Sequence, residues 1–168
     1  MREVGLGLGS NLGDRISYLR AAVAGLHTSG AMTVTDVSRP YETPPWGYED
    51  QNHFVNACVV GQTQLEPLEL MRKLKELEAS VGRTPTFRWG PRVIDIDIIY
   101  IDGLEIDLPD LIVPHKDALS RAFVLLPLEE IRPDLIINGI PISTALSDLD
   151  RDGILPLAVS LTDPSNSG

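Results

Sequence analysis

Residues 93–101 read Val93-Ile94-Asp95-Ile96-Asp97-Ile98-Ile99-Tyr100-Ile101, and this alternation predicts a β-strand. Side chains two apart on a strand share a face. Ile94, Ile96 and Ile98 therefore point into a core, while Asp95 and Asp97 point together to the other side. Immediately upstream, Leu70, Leu74, Leu77 and Val81 recur at helical spacing. Pro67 suits the first helical position, and Gly82 offers a stop. Before that helix, Phe54-Val55-Asn56-Ala57-Cys58-Val59-Val60 reads as a second strand, and a weaker one lies near 33–39. At the N-terminus, Val4, Leu6 and Leu8 alternate with Gly5, Gly7 and Gly9, a strand with one bare face that another group can approach closely. Ser10-Asn11 offers a helix N-cap with Asp14 in the first turn. Ile16, Leu19, Val23 and Leu26 follow at helical spacing, and Gly30 ends that unit. The resulting order β-α-β-β-α-β predicts an α/β (α+β) ferredoxin-like plait, one antiparallel sheet with two helices on one face. Residues 104–145 add short strands or helices. Residues 1–160 are expected to form a single domain, and 161–168 a disordered tail.

Two irregular segments interrupt this order. Residues 40–53 carry three prolines, a glycine and the aromatics Tyr41, Trp46 and Tyr48, and are expected to be a long loop. Residues 83–92, Arg-Thr-Pro-Thr-Phe-Arg-Trp-Gly-Pro-Arg, form the second. The first exceeds about 12 residues, and loops of that length in compact domains are usually functional or disordered.

Composition narrows the class. With 168 residues and 43% apolar content, the chain can bury a core and is too hydrophobic to be disordered. Its formal net charge of −10 argues against a general nucleic-acid or anionic-membrane binder. No apolar run approaches the roughly 20 residues that span a bilayer. The N-terminus lacks the pattern of a signal peptide, and the single Cys58 cannot form an internal disulfide, so a cytoplasmic protein is expected. The charge is unevenly spread. Residues 71–92 hold six bases against two acids, and residues 93–113 hold six acids and no base. A cationic segment beside an anionic one suits a polyphosphate with its metal ions, although two solvated faces would read the same way.

Asp95 and Asp97 repel each other unless something compensates. A hard cation does so, and paired carboxylates with phosphate oxygens commonly hold Mg²⁺. Two solvated acids on an exposed strand face is the plain alternative. Arg83, Arg88 and Arg92 lie just before the pair, and guanidinium groups neutralise charge during phosphoryl transfer. His115, after Pro114, can donate to a phosphate oxygen. Trp89 and Phe123 offer flat faces to a heterocycle. Gly7, Gly9 and Gly13 miss the dinucleotide fingerprint by one residue, and no Gly-x-x-x-x-Gly-Lys-Ser/Thr loop is present.

Five segments occur in order: Gly9-Ser10-Asn11-Leu12-Gly13-Asp14, Glu42-Thr43-Pro44-Pro45-Trp46-Gly47, Phe54-Val55-Asn56-Ala57, Arg88-Trp89-Gly90-Pro91-Arg92-x-x-Asp95-x-Asp97 and Val113-Pro114-His115. Together they resemble the 6-hydroxymethyl-7,8-dihydropterin pyrophosphokinase family, from about residue 4 to residue 140. The resemblance implies a ferredoxin-like fold and a magnesium-dependent enzyme of folate biosynthesis. It implies transfer of the β,γ-diphosphate of ATP to the pterin hydroxymethyl oxygen, leaving AMP. By position, Asp95 and Asp97 would bridge two Mg²⁺ ions, and Arg83, Arg92 and Asp97 would carry catalysis. Arg88, Arg92, His115 and Arg121 would hold ATP phosphates. Ile98, Leu111 and Ile112 would form the adenine pocket, with Lys75, Trp89 and Lys116 also on the ATP side. Asn56 would read the pterin edge with backbone groups of Thr43 and Trp46, flanked by Pro44 and Pro45. Phe54 and Phe123 would sandwich the ring, with Trp89 and Asp95 beside it. The loops at 10–14, 43–53 and 83–92 are expected to close over the substrates.

The sequence departs from the family pattern in four places. Phe54 replaces a common tyrosine, Lys75 a glutamine and Lys116 an aromatic, and the 83–92 loop is one residue short. The expected partners are ATP and the pterin alone, with no nucleic acid or membrane, and the chain is expected to be a monomer. Two other functions share these residues: a non-catalytic ligand-binding module of the same fold, and a small-molecule kinase moving one phosphoryl group.

Overall fold

The computed structural model of the chain describes residues 1–11, 13–43, 53–82 and 93–162. The alternating N-terminal segment forms β1 (Arg2–Ser10), followed by α1 (Arg15–Thr28), β2 (Thr33–Val37), β3 (Tyr41–Thr43), β4 (Phe54–Thr63), α2 (Pro67–Val81) and β5 (Asp95–Ile101). β1 lies between β4 and β5 and pairs antiparallel with both. On the far side of β4, β2 and β3 line up end to end. Thr33 faces Gln62, Val37 faces Val59, Tyr41 faces Asn56 and Thr43 faces Phe54. Taken as one interrupted strand, β2 and β3 complete the expected ferredoxin-like plait, with α1 and α2 as its two connections.

The remaining chain adds the hairpin β6 (Ile106–Leu108) and β7 (Leu111–Val113), a 3-10 turn (Ala118–Ser120), α3 (Ala122–Ile131), β8 (Ile136–Ile137), β9 (Ile140–Pro141), α4 (Ile142–Ser147) and β10 (Leu155–Pro156). β10 extends the main sheet by pairing with β3.

The sheet is covered on both faces, which explains the continuous apolar run of β4. On one face Leu6, Leu8, Val59 and Ile96 pack with Leu19 and Leu26 of α1 and Leu70 and Leu74 of α2. On the other, Cys58, Val60, Ile99 and Tyr100 pack with Leu125 and Leu128 of α3 and Ile142 and Leu146 of α4. Each of these buried leucines and isoleucines contributes about 1.5–3 kcal/mol relative to exposure.

Four details differ from the sequence reading. Ser10 does not cap α1: β1 stays paired through Ser10 opposite Val55. Asp14 is the cap, and its carboxylate accepts the Ser17 N–H at 3.1 Å. That bond and the Ser17 hydroxyl hold the Asp14 pKa below the usual carboxylate value. Residues 41–43, expected within a loop, form β3, because Tyr41 is buried and donates to Glu130 Oε1 of α3 at 2.6 Å. Burial and that acceptor push the Tyr41 phenol far above its ordinary pKa. Gly82 ends α2 at φ −88°, without the left-handed conformation of the expected glycine stop. Finally, Leu161, expected to open a disordered tail, is buried in the first core. Residues 163–168 lie outside the described residues.

Candidate functional site

β1 and β5 build the floor. Asp97 faces Gly7 and Asp95 faces Gly9 across the antiparallel pair. The two carboxylates therefore rise beside glycines, with no β1 side chain next to them. Asp97 is exposed and Asp95 half-buried. β4 lies on the other flank of β1, and its Asn56 also faces Gly9.

A cavity of about 600 Å³ opens over this floor, walled by Thr43, Phe54, Asn56, Asp95, Asp97, His115, Arg121 and Phe123. A second cleft of about 240 Å³ runs beside it between α2 and the β6–β7 hairpin. Its walls include Lys75, Ile98, Leu111, Ile112 and Lys116. Asp97 and His115 line both spaces.

The polar groups are held by short local bonds. The Asn56 side chain is nearly buried, and its Nδ2 donates to Thr43 Oγ1 at 3.0 Å. A Cβ placed on Gly9 would lie 2.8 Å from Asn56 Oδ1, so the bare glycine is what admits the amide. His115 is tied to β5 by its N–H, which donates to the Ile99 carbonyl at 2.8 Å. Its Nδ1 accepts the Asp117 N–H at 3.2 Å. The proton of the neutral ring then sits on Nε2, where it can be donated. Arg121 Nη2 lies 3.2 Å from Asp117 Oδ2, and its guanidinium carbon is 5.7 Å from the Phe123 ring centroid. That is within cation–π range. Cys58 also lines the cavity, but burial pushes its thiol pKa well up and makes it an inert wall.

Among the described residues, no group of three or more His, Cys, Asp and Glu gathers as a metal cluster. Two carboxylates on one strand face fit Mg²⁺, which takes one or two from protein and fills its octahedron with phosphate oxygens and water.

Thr43, Phe54, Asn56, Asp95 and Phe123 thus come together around the cavity, as Lys75, Ile98, Leu111, Ile112 and Lys116 do around the cleft. Arg121, expected on the ATP side, lines the cavity. Pro44, Pro45, Trp46, Arg83, Arg88, Trp89 and Arg92 lie outside the described residues. The sequence reading missed Asp117, which orients both His115 and Arg121. Its spacing of four from Arg121 was the available signal.

The family model described as 7,8-dihydro-6-hydroxymethylpterin-pyrophosphokinase (HPPK) matches residues 5–133. A Methylorubrum extorquens protein named 2-amino-4-hydroxy-6-hydroxymethyldihydropteridine pyrophosphokinase is 45% identical over 154 residues, covering 92% of this chain and 98% of its own length. A Bacillus subtilis protein of the same name is 51% identical over 126 residues, 75% of each chain. The crystal structure of wild-type Plasmodium falciparum HPPK-DHPS matches with a TM-score of 0.67 over 87% of this chain, at 16% identity. This chain spans 40% of that longer chain, and at that identity the likeness shows the fold.

Proposed function

This chain belongs to the 7,8-dihydro-6-hydroxymethylpterin-pyrophosphokinase family, and from that premise we propose how its cavity and cleft divide the work of one ATP-dependent diphosphotransferase. The reaction moves the β,γ-diphosphate of ATP onto the hydroxymethyl oxygen of 6-hydroxymethyl-7,8-dihydropterin and releases AMP. The observation that carries the division is the shared wall: Asp97 and His115 border both spaces. An acceptor alcohol in one and a triphosphate reaching in from the other would meet there.

In this reading the pterin occupies the larger cavity. Phe54 and Phe123 face its ring, and offset stacking adds about 0.5–1.5 kcal/mol per aromatic pair beyond burial. The Asn56 amide offers a donor and acceptors to the ring edge. ATP occupies the cleft, with adenine against Ile98, Leu111 and Ile112 and with Lys75 and Lys116 on the cleft walls. His115 donates from Nε2 to a phosphate oxygen. Asp95 and Asp97 hold two Mg²⁺ ions, which neutralise phosphate charge when bound. Arg83, Arg88, Trp89 and Arg92 take their roles from the sequence motif, with Arg83 and Arg92 on the transferring diphosphate. Arg121, stacked on Phe123 and paired with Asp117, braces the pterin wall.

The same reading has the protein work as a cytoplasmic monomer, with residues 1–160 as one unit. Cys58 is buried, and among the described residues no helix is long and apolar enough to cross a membrane.

Purified protein given ATP, Mg²⁺ and 6-hydroxymethyl-7,8-dihydropterin is expected to release AMP and the pterin diphosphate. Release of ADP would instead mark a kinase moving one phosphoryl group. Pterin binding that is unchanged by a chelator, with no nucleotide turnover, would mark a binding module. The cavity floor gives a narrower expectation. Gly9→Ala forces the Asn56 amide aside, an overpacking cost of about 1–3 kcal/mol. The KM for the pterin should rise about tenfold with little change in the KM for ATP, since 1.4 kcal/mol is a factor of about ten.

A further inference from the structure

Ile96 stands between the two acids of the site, and its N–H donates to Glu78 Oε2 at 2.7 Å. Glu78 belongs to the last turn of α2 and is half-buried. Among the described residues, β5 has one neighbour in the sheet, β1. Along an antiparallel edge strand, alternate N–H groups face away from the partner. The Ile96 N–H is one of these, and the residue that carries it is only 7% exposed. A carboxylate is the strongest acceptor such a donor can find. The Asp95-Ile96-Asp97 backbone is therefore gripped from both edges, by Gly9 and Gly7 of β1 on one side and by Glu78 on the other.

The same glutamate stands at the junction of α2 and β5. Its carbonyl accepts the Gly82 N–H at 3.0 Å. A Cβ on Gly82 would lie 2.8 Å from Val93 Cγ2, so the two residues that flank segment 83–92 touch. Glu78 thus links the end of α2, the base of that segment and the acidic strand.

We propose that Glu78 is a positioning residue for the divalent cations: by fixing the Ile96 amide it sets the spacing and tilt of the Asp95 and Asp97 carboxylates. This rests on the reading of those two acids as cation holders. Its geometry separates reach from charge. Glu78→Asp keeps the charge but draws the carboxylate back by one methylene, away from Ile96. Glu78→Gln loses the charge but keeps a carbonyl oxygen at the same reach.

The test is Mn²⁺ binding, read from its electron paramagnetic resonance signal, with a non-hydrolysable ATP analogue present. Wild type, Glu78→Asp, Glu78→Gln and Asp97→Asn are compared, and the Ile96 amide is followed by NMR. Glu78→Asp should shift the Ile96 amide and weaken Mn²⁺ binding about tenfold, the lower end of what outer groups around metal ligands usually cost. Glu78→Gln should stay within about threefold of wild type, because the acceptor survives. The reverse order of the two variants would mean that Glu78 acts through its charge, and overturns the proposal. So does a shifted Ile96 amide in Glu78→Asp with Mn²⁺ binding unchanged. If wild type and Asp97→Asn bind Mn²⁺ equally, the assignment of the acids themselves fails and takes this proposal with it.

Discussion

Asp97→Ala is expected to reduce AMP release by about 10³-fold or more while the protein keeps its melting temperature. The size follows from the double placement of Asp97, at the meeting of cavity and cleft. Losing a single preorganised electrostatic partner of a transition state costs about 10²–10³ in kcat. Losing a cation ligand removes the charge that the cation would bring as well. Stability should hold for a separate reason. Asp97 is exposed, and among the described residues its carboxylate makes no hydrogen bond or ion pair. Asp95 stands on the same face of the strand, so removing Asp97 relieves a repulsion between like charges. AMP quantified by chromatography, with calorimetry on the same samples, decides the matter. A variant that keeps AMP release within tenfold of wild type would remove Asp97 from the reaction. A variant that has simply unfolded would say nothing for a catalytic role, which is why Asp97→Asn, equal in shape, belongs beside it.

The strand that carries Asp97 was legible because its period of two is local: one face of isoleucines, one face of acids, and the structure keeps both. The two helices and the glycine face of β1 were legible for the same reason. What escaped was decided by partners distant in sequence. Residues 41–43 stand between prolines and read as loop, yet they form β3 because β4 offers them a ladder and Glu130, 89 residues away, takes the Tyr41 hydroxyl. Ser10 and Asp14 are both good caps by chemistry. The choice between them was made by Val55, which keeps Ser10 in the sheet. Glu78 reads as one more solvated acid on a helix, since its partner is a backbone N–H that only folding brings near. Among the described residues, the candidates named from the sequence line two adjoining spaces, whose outline no local pattern carries. The sequence put Arg121 with the ATP phosphates. Its stacking on Phe123 and its pairing with Asp117 put it in the wall of the larger cavity.

Asn56→Ala is expected to raise the KM for 6-hydroxymethyl-7,8-dihydropterin by about 10²-fold, because two lost hydrogen bonds at about 1–1.5 kcal/mol each approach that factor. The KM for ATP should change less than about threefold, since Asn56 borders the cavity but not the cleft. The amide can act as a reader because it cannot turn freely. Its Nδ2 is committed to Thr43 Oγ1 at 3.0 Å, and its Oδ1 is packed over Gly9. Two further variants separate reading from support. Thr43→Val leaves the amide in place but unpinned, and should raise the pterin KM by less than Asn56→Ala does. Asn56→Asp keeps the shape but replaces the donor with an acceptor, so any donation to the ring is lost even though the Thr43 hydroxyl can turn to donate to the carboxylate. It should be at least as impaired as Asn56→Ala, because a buried group left facing the wrong partner costs more than an absent one. Steady-state kinetics with each substrate varied in turn gives the answer. If the two KM values rise together, or if Asn56→Asp binds the pterin as well as wild type does, Asn56 supports the sheet and something else reads the ring.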